Sequence, residues 1–120
     1  MINQETTQKK QLLRVIERIK LKGKFLRLIV YKLQNGEVVI TYRQMAVAVK
    51  VNFQIAKSFI RSQGIIPDEI ILPNRQESLM VPAQLAAQFW KELNQTRKGN
   101  IFTEDGQSLL ENYLKSCGNN

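Results

Sequence analysis

Asn35-Gly36 is the feature that most restricts how this chain can fold. It separates "KFLRLIVYKL" (Lys24 to Leu33) from "EVVI" (Glu37 to Ile40), two runs rich in β-branched and aromatic residues. Asn-Gly is the strongest short hairpin signal, because a type I′ turn needs positive φ at both central residues. The first run is short for a helix and reads as a strand, with Glu37 to Ile40 as its partner. A hairpin inside a 120-residue chain that is 43% hydrophobic and 23% charged predicts a single globular domain, residues 1–120, with a core that needs no staples.

Thr41 closes that strand and opens "TYRQ", a capping-box pattern in which Thr41 bonds the amide of Gln44 and Gln44 reaches back. A helix then spans Tyr42 to Lys50, with Met45, Ala46 and Val49 facing inward. Asn52 is a good N-cap for the next helix, Phe53 to Gln63, which Gly64 ends as a left-handed cap. Two helices joined by so tight a turn form a helix-turn-helix. On the second, Phe53, Ala56, Phe59 and Ile60 are expected inside. Gln54, Lys57, Ser58 and Arg61 fall at i, i+3, i+4 and i+7, which makes one outward polar stripe.

Before the hairpin, Thr6 or Thr7 can cap a helix that runs to about Lys22 and stops at Gly23. Leu12, Val15, Ile16 and Ile19 would be its buried stripe; Lys10, Arg14, Arg18 and Lys22, four residues apart, would line the opposite side. After Gly64, Ile70 to Leu72 and Leu79 to Val81 read as short strands around "PNRQES", with Pro67, Pro73 and Pro82 confining them to edges or ends. Pro82 then opens a helix over Ala83 to Gln95, whose Leu85, Ala86, Phe89, Trp90 and Leu93 form a broad apolar face. "TRKGN" ends it, with Gly99 as C-cap, and Thr103 caps a last helix bearing Leu109, Leu110, Tyr113 and Leu114. Residues 1–81 thus hold a basic helix, hairpin, helix-turn-helix and wing, and 82–120 a helical part.

Charge points to a partner. The net charge is +8, and Met1 to Arg61 carries 13 Lys and Arg against three Glu, a net +10. Ser62 to Asn120 has five cations against seven acids, a net −2. Such asymmetry suits an anionic partner, nucleic acid before membrane. Glu17 is the only acid between Lys9 and Lys32, so the cations of the first predicted helix lack the i,i+4 partners of an ordinary solvated face. A solvated face remains the competing explanation.

Catalysis has little to stand on. The chain has no His, which removes His-based acid–base chemistry, imidazole metal sites and Ser-His-Asp triads. Pro67-Asp68-Glu69 is superficially like the start of a metal-dependent nuclease site, but no Glu-x-Lys follows, and "ERIK" at Glu17 to Lys20 sits on a predicted helix. Glu77 is the only other acid nearby, too few carboxylates for metal-assisted cleavage. No phosphate-binding Gly-rich loop is present. No enzyme activity, cofactor, metal or small-molecule substrate is expected. The lone Cys117 fits a reducing compartment, no apolar run approaches the ~20 residues of a membrane span, and "MINQETTQKK" lacks a signal-peptide core. A cytoplasmic location follows.

The helix-turn-helix stretch resembles known motifs of that kind. Ala46 stands where the family wants a small residue, Met45 and Val49 are its apolar neighbours, and Ala56 and Phe59 take the buried places of the recognition helix. Lys50 departs, since that turn position is commonly Gly. "LQNGEVVITYRQMAVAV" is similar to the hairpin-into-helix opening of BRO and phage-antirepressor DNA-binding domains. "MVPAQLAAQFWKELNQTRKGN" resembles uncharacterised cyanobacterial proteins with such an opening. The resemblance implies a DNA-binding module tied to phage or mobile elements.

The expectation is therefore an α+β domain of winged-helix type, with an N-terminal hairpin and two extra C-terminal helices. It would bind double-stranded DNA sequence-specifically as a regulator from a phage, plasmid or mobile element. Gln54, Lys57, Ser58 and Arg61 would read bases, since Gln pairs with adenine and Arg or Lys with guanine. Lys10, Arg14, Arg18, Lys22, Arg43, Lys50, Asn52 and Arg75, the last at the wing tip, would hold the backbone. The aromatic and leucine content after Pro82 suggests a homodimer face. The alternatives are a non-catalytic protein-interaction module, an inhibitor or adaptor meeting an acidic partner, and a non-specific RNA or single-strand binder.

Overall fold

The computed structural model describes residues 13–72 and 77–117. Along the chain come β1 (Leu13–Lys22), β2 (Arg27–Leu33), β3 (Val38–Thr41), α1 (Gln44–Val47), α2 (Phe53–Ser62), β4 (Asp68–Ile71), β5 (Glu77–Pro82), α3 (Ala83–Gln95) and α4 (Ile101–Ser116). The class is α+β, and the strands close into a barrel in the order β1-β2-β3-β5-β4. Neighbours are antiparallel except β1 and β4, which run parallel for two residue pairs, Leu13 with Ile70 and Arg14 with Ile71.

The expected first helix is a strand over Leu13–Lys22; its Thr6 or Thr7 cap and Leu12 lie outside the described residues. The physical reason is visible in "RIKLK", where Ile19 and Leu21 alternate with Arg18, Lys20 and Lys22. Period two lets Ile19 and Leu21 sit beside Val30 and Leu28 of β2, a long antiparallel pairing that no isolated helix offers. A bulge between Val15 and Glu17 reverses the alternation partway along. Val15 therefore shares a face with Leu33, while Arg18 and Lys22 take that same face further on. Arg14 points to the other side, so the expected row of Arg14, Arg18 and Lys22 is broken.

The β2–β3 hairpin forms as expected, but with a different turn. Gly36 N–H donates to Leu33 O at 2.8 Å, which leaves Gln34 and Asn35 at the centre. Only Gly36 of that loop has a positive φ, 91°. This is the three-residue hairpin loop with a Gly bulge rather than type I′. Asn35 serves it through its side chain, accepting from Glu37 N–H at 2.9 Å.

Alternation on β2 and its neighbours feeds two cores. Tyr31, Leu33, Val39, Ile70 and Met80 fill the barrel. Leu28, Val30, Ile40 and Val81 face outward and pack under all four helices, with Met45, Ala56, Phe59, Trp90 and Leu110 among their partners. Trp90 is fully buried and its indole N–H donates to Met45 O at 2.9 Å. Gly106 lies against its ring, where a Cβ would come within 3.0 Å. The last helix starts at Asn100 rather than Thr103: Asn100 Oδ1 caps the amides of Phe102 and Thr103, and Thr103 Oγ1 accepts from Asn100 N–H. Arg97, at φ 65°, turns the chain out of α3 where Gly99 was expected to.

Two side chains tie the layers. Thr41 Oγ1 accepts from Gln44 N–H at 3.2 Å, the forward half of the expected capping box. Gln44 does not reach back. Its amide accepts from Ile29 N–H and donates to Ile29 O, both at 2.8 Å, and so stands in for the strand residue that β3 no longer supplies. From α4, Asp105 accepts from the amides of Phe25 (2.7 Å) and Leu26 (3.2 Å) at the β1–β2 turn. Partial burial pushes the Asp105 carboxyl up, but the amides of Phe25, Lys24 and Leu26 and the Lys24 charge outweigh it, so the group sits below its ordinary range.

Two outcomes follow. Gln44→Ala should cost about 1–3 kcal/mol in urea unfolding, because it orphans both backbone groups of Ile29. Gln44→Glu, which still accepts but cannot donate, should recover only part. Asp105 has a folded pKa lower than its unfolded value, so its contribution is full above about pH 4 and fades as pH falls through the folded pKa. The stability gap between wild type and Asp105→Asn should therefore be flat from pH 7 to about pH 5 and shrink in acid. A gap that widens in acid would contradict this.

Candidate nucleic-acid interface

Helix α2 begins at Phe53 because Asn52 Oδ1 caps the amide of Gln54 at 2.7 Å. It ends at Gly64, whose φ of 69° suits the left-handed position after the C-cap Gln63. Ala56, Phe59 and Ile60 are buried, and Gln54, Ser58 and Arg61 are exposed on the opposite side. Lys57 is half-buried on one flank, its Nζ 6.0 Å from the centre of the Phe53 ring. Phe53 was expected inside but is 36% exposed. It stacks on Tyr42 at 5.1 Å with the rings tilted by 57°. Burial pushes the Tyr42 phenol up while the Arg61 charge draws it down, so the phenol stays neutral and Arg61 belongs to the same cluster.

Helix α1 is only four residues long, shorter than the expected Tyr42 to Lys50. Met45, Ala46 and Val49 are buried as its inner set. Lys50 adopts φ 59°, so the turn takes the left-handed conformation that Gly commonly supplies, here with a side chain attached. Its Nζ lies 6.0 Å from the Phe102 ring centre. Arg43 and Lys50 are exposed; Asn52 is exposed too, but its Oδ1 is committed to the cap.

Strand direction decides what gathers around α2. Strands β1, β3 and β4 run the same way, because β1 is parallel to β4 and β3 is two antiparallel steps from each. The C-terminal ends of β1, β3 and β4 therefore lie at one end of the barrel, and the α1–α2 connection leaves from there and returns to the start of β4 at the other. Arg18 and Lys22 reach that end with Lys20, Lys24 and Arg27, which sequence reasoning had not singled out. Strict alternation from Arg18 to Lys22 was the signal that could have found them. Arg14 lies on the other face of β1, at its far end. Lys10 and Arg75 lie outside the described residues.

Two concave features complete the surface, one apolar and one of mixed charge. A pocket of about 500 Å³ is lined by Tyr42, Arg43, Val47, Phe53, Ser78 and Leu79. Val47 and Leu79 are among the exposed large apolar residues. At the opposite end a wider cleft of about 970 Å³ opens between the β2–β3 turn, α3 and α4, bearing Glu37, Lys91, Glu92, Glu111 and Lys115. Its mixed charges give it no single preference. Of Phe89, Trp90, Tyr113 and Leu114, which could complete the core or form a dimer face, Phe89 and Trp90 are buried in the chain's own core and Tyr113 and Leu114 pack half-buried against it. Among the described residues no group of His, Cys, Asp or Glu is placed to hold a metal ion, and no helix is long and apolar enough to cross a membrane.

Comparison of the chain with protein-family models, curated proteins and solved structures gives no match.

The Lys50 turn generates one expectation. Left-handed backbone costs an L-residue roughly 1–2 kcal/mol, and Gly gives back part of that as chain entropy. Lys50→Gly should therefore raise stability by up to about 1 kcal/mol, while Lys50→Ala, which keeps the strained Cβ, should not. Thermal or urea unfolding of the three proteins decides it; a loss on Lys50→Gly would mean the contact with Phe102 outweighs the strain.

Proposed function

We propose that the protein binds double-stranded DNA as a winged-helix-type module, with α2 lying in the major groove. The observation that carries this reading is the outward face of α2. Gln54, Ser58 and Arg61 are exposed together, Lys57 flanks them, and neither α1 nor α2 bears an acid. These side chains can form bidentate or single hydrogen bonds with base edges.

Topology supports the module. The antiparallel order β3-β5-β4, with a helix pair between β3 and β4, is the strand arrangement of a winged helix. In chain order the β1–β2 hairpin would stand where that fold has its first helix, and β4 and β5 would be the strands of the wing. Arg18, Lys22, Arg43 and Lys50 are the cations left to hold phosphates. The role of a sequence-specific regulator from a phage, plasmid or mobile element rests on the BRO and antirepressor resemblance.

A protein-interaction role is the second reading, and the apolar pocket around Val47, Phe53 and Leu79 favours it. Exposed apolar side chains in contact with one another are a usual mark of a protein contact.

Titration against duplex DNA at several salt concentrations separates the two. Phosphate contacts predict a log–log slope of about −0.9 per phosphate, and replacing Arg18 and Lys22 with Gln should flatten it. Against a target selected from random duplexes, Gln54→Ala and Arg61→Ala should each cost about 1–3 kcal/mol, with random-duplex binding almost unchanged. Both should change folding stability by under about 0.5 kcal/mol, whereas Phe59→Ala should cost roughly 3–5 kcal/mol of it. No complex at low salt would reject the DNA reading and promote the protein partner.

A further inference from the structure

The β1–β2 hairpin has a tip that neither barrel nor helix pair requires. Beyond Arg14, β1 pairs only with β2 among the described residues, and β2 meets β3 only from Val30 to Lys32. Lys20 to Ile29 thus extends past the barrel as a two-stranded ribbon. One face, with Ile19, Leu21, Leu26 and Leu28, rests on the helix-covered core. The other presents Arg18, Lys20, Lys22 and Arg27 to solvent, and Lys24 is exposed at the turn. The sequence has no acid from Arg18 to Gly36.

The tip is ordered by specific bonds. Gly23 N–H donates to Leu26 O at 2.8 Å, and Asp105 takes the amides of Phe25 and Leu26. A Cβ on Gly23 would run into the Asp105 carboxylate, so the close approach needs Gly there. At this fixed apex Phe25 is 58% exposed. The braced turn thus offers an exposed aromatic ring with Lys22, Lys24 and Arg27, all exposed, as its near neighbours in the chain.

We infer that this tip is a second duplex contact: Phe25 enters the minor groove as an apolar wedge, and Lys22, Lys24 and Arg27 lie on the flanking phosphates. The inference rests on the duplex binding proposed above. Charge complementarity selects the occupant, because a cover for Phe25 must also meet three cations on a ribbon without acids, of which Lys24 alone lies beside an acid, Asp105 of α4. Phosphates lining a narrow groove do so. An apolar ring inserted between base steps unstacks them and bends the duplex, and a braced turn spends no binding energy on ordering itself. Strand direction puts this tip at the end of the barrel where the chain leaves β3 for α1 and α2.

The test is a duplex of roughly 30 base pairs with a donor and an acceptor dye at its ends, titrated at low salt with the full chain. Wild type should bring the ends closer and brighten a 2-aminopurine placed at a T-A step. Phe25→Ala should still form a complex, about tenfold weaker, with most of the bend lost; Phe25→Leu should keep the bend. Because Phe25 is exposed, the melting temperature of Phe25→Ala should match wild type. A wild-type complex without bending, or an equal bend with Phe25→Ala, would overturn the wedge while leaving duplex binding in place. Phe25-dependent sedimentation with phosphatidylserine–phosphatidylcholine vesicles, without duplex bending, would overturn it in favour of a lipid surface. Failure of wild type to bind any duplex would instead remove the underlying reading.

Discussion

The structure depends on how the end of β3 is finished. That strand stops at Thr41, which leaves the backbone of Ile29 on β2, paired with Lys20 of β1 on one side, without a partner on the β3 side. The Gln44 side chain completes the ladder with two bonds of 2.8 Å, and in doing so fixes where the helix pair leaves the barrel. A four-residue helix such as α1 has no stability of its own, since a single turn is a nucleus without propagation. It is held by its neighbours. Trp90 bonds Met45 O, and Asn100 Nδ2 bonds Val49 O at 3.0 Å, so two of the carbonyls near its C-terminal end are satisfied from α3 and the start of α4. The direction of α2 is thus set by barrel and C-terminal helices together, although its own sequence decides which face turns outward.

Much of this was legible wherever the determinant is local. The β2–β3 hairpin, the Asn52 cap, the Gly64 stop and the span of α3 all follow from residues adjacent in the chain. The turn type did not, because Asn-Gly serves both the two-residue loop and the three-residue loop with a bulged Gly, and the choice depends on how β3 registers against β2. The first helix failed for a more instructive reason. Leu12, Val15, Ile16 and Ile19 satisfy a helical period, while Val15, Ile19 and Leu21 satisfy a strand period once a bulge is allowed. Only pairing with β2, and a two-residue parallel contact with β4 across more than fifty residues of sequence, decides between them.

The same logic governs the candidate interface. Gln54, Ser58 and Arg61 share an exposed face because α2 is a helix of ordinary period, which one segment suffices to reveal. Phe53 was misplaced because it occupies the first helical position, on the flank rather than the inner stripe, where Tyr42 and Lys57 cover it only in part. Lys20, Lys24 and Arg27 stayed hidden because a helix would have put Lys20 off the row of Arg18 and Lys22. In the strand Arg18, Lys20 and Lys22 fall in line, with Lys24 beyond them in the turn.

The two readings of the α2 surface differ finally in what they ask of Lys57 and Arg61. An apolar protein partner seated in the pocket of Tyr42, Val47, Phe53 and Leu79 would have to take these cations out of water or hold them at its rim, and burying an unpaired charge costs several kcal/mol. A duplex makes no such demand. Its base edges would replace the water around Lys57 and Arg61 and its phosphates that around Arg43, and the displaced counterions would favour the exchange. The Phe53 ring, already stacked on Tyr42, would then gain a neighbour in the thymine methyl edge of the major groove, an apolar contact that base pairs offer beside their hydrogen-bonding groups. On the DNA reading, a duplex would meet both the apolar patch and the cations of the two helices at once, with exposed Glu69 beside Leu79 left at its rim.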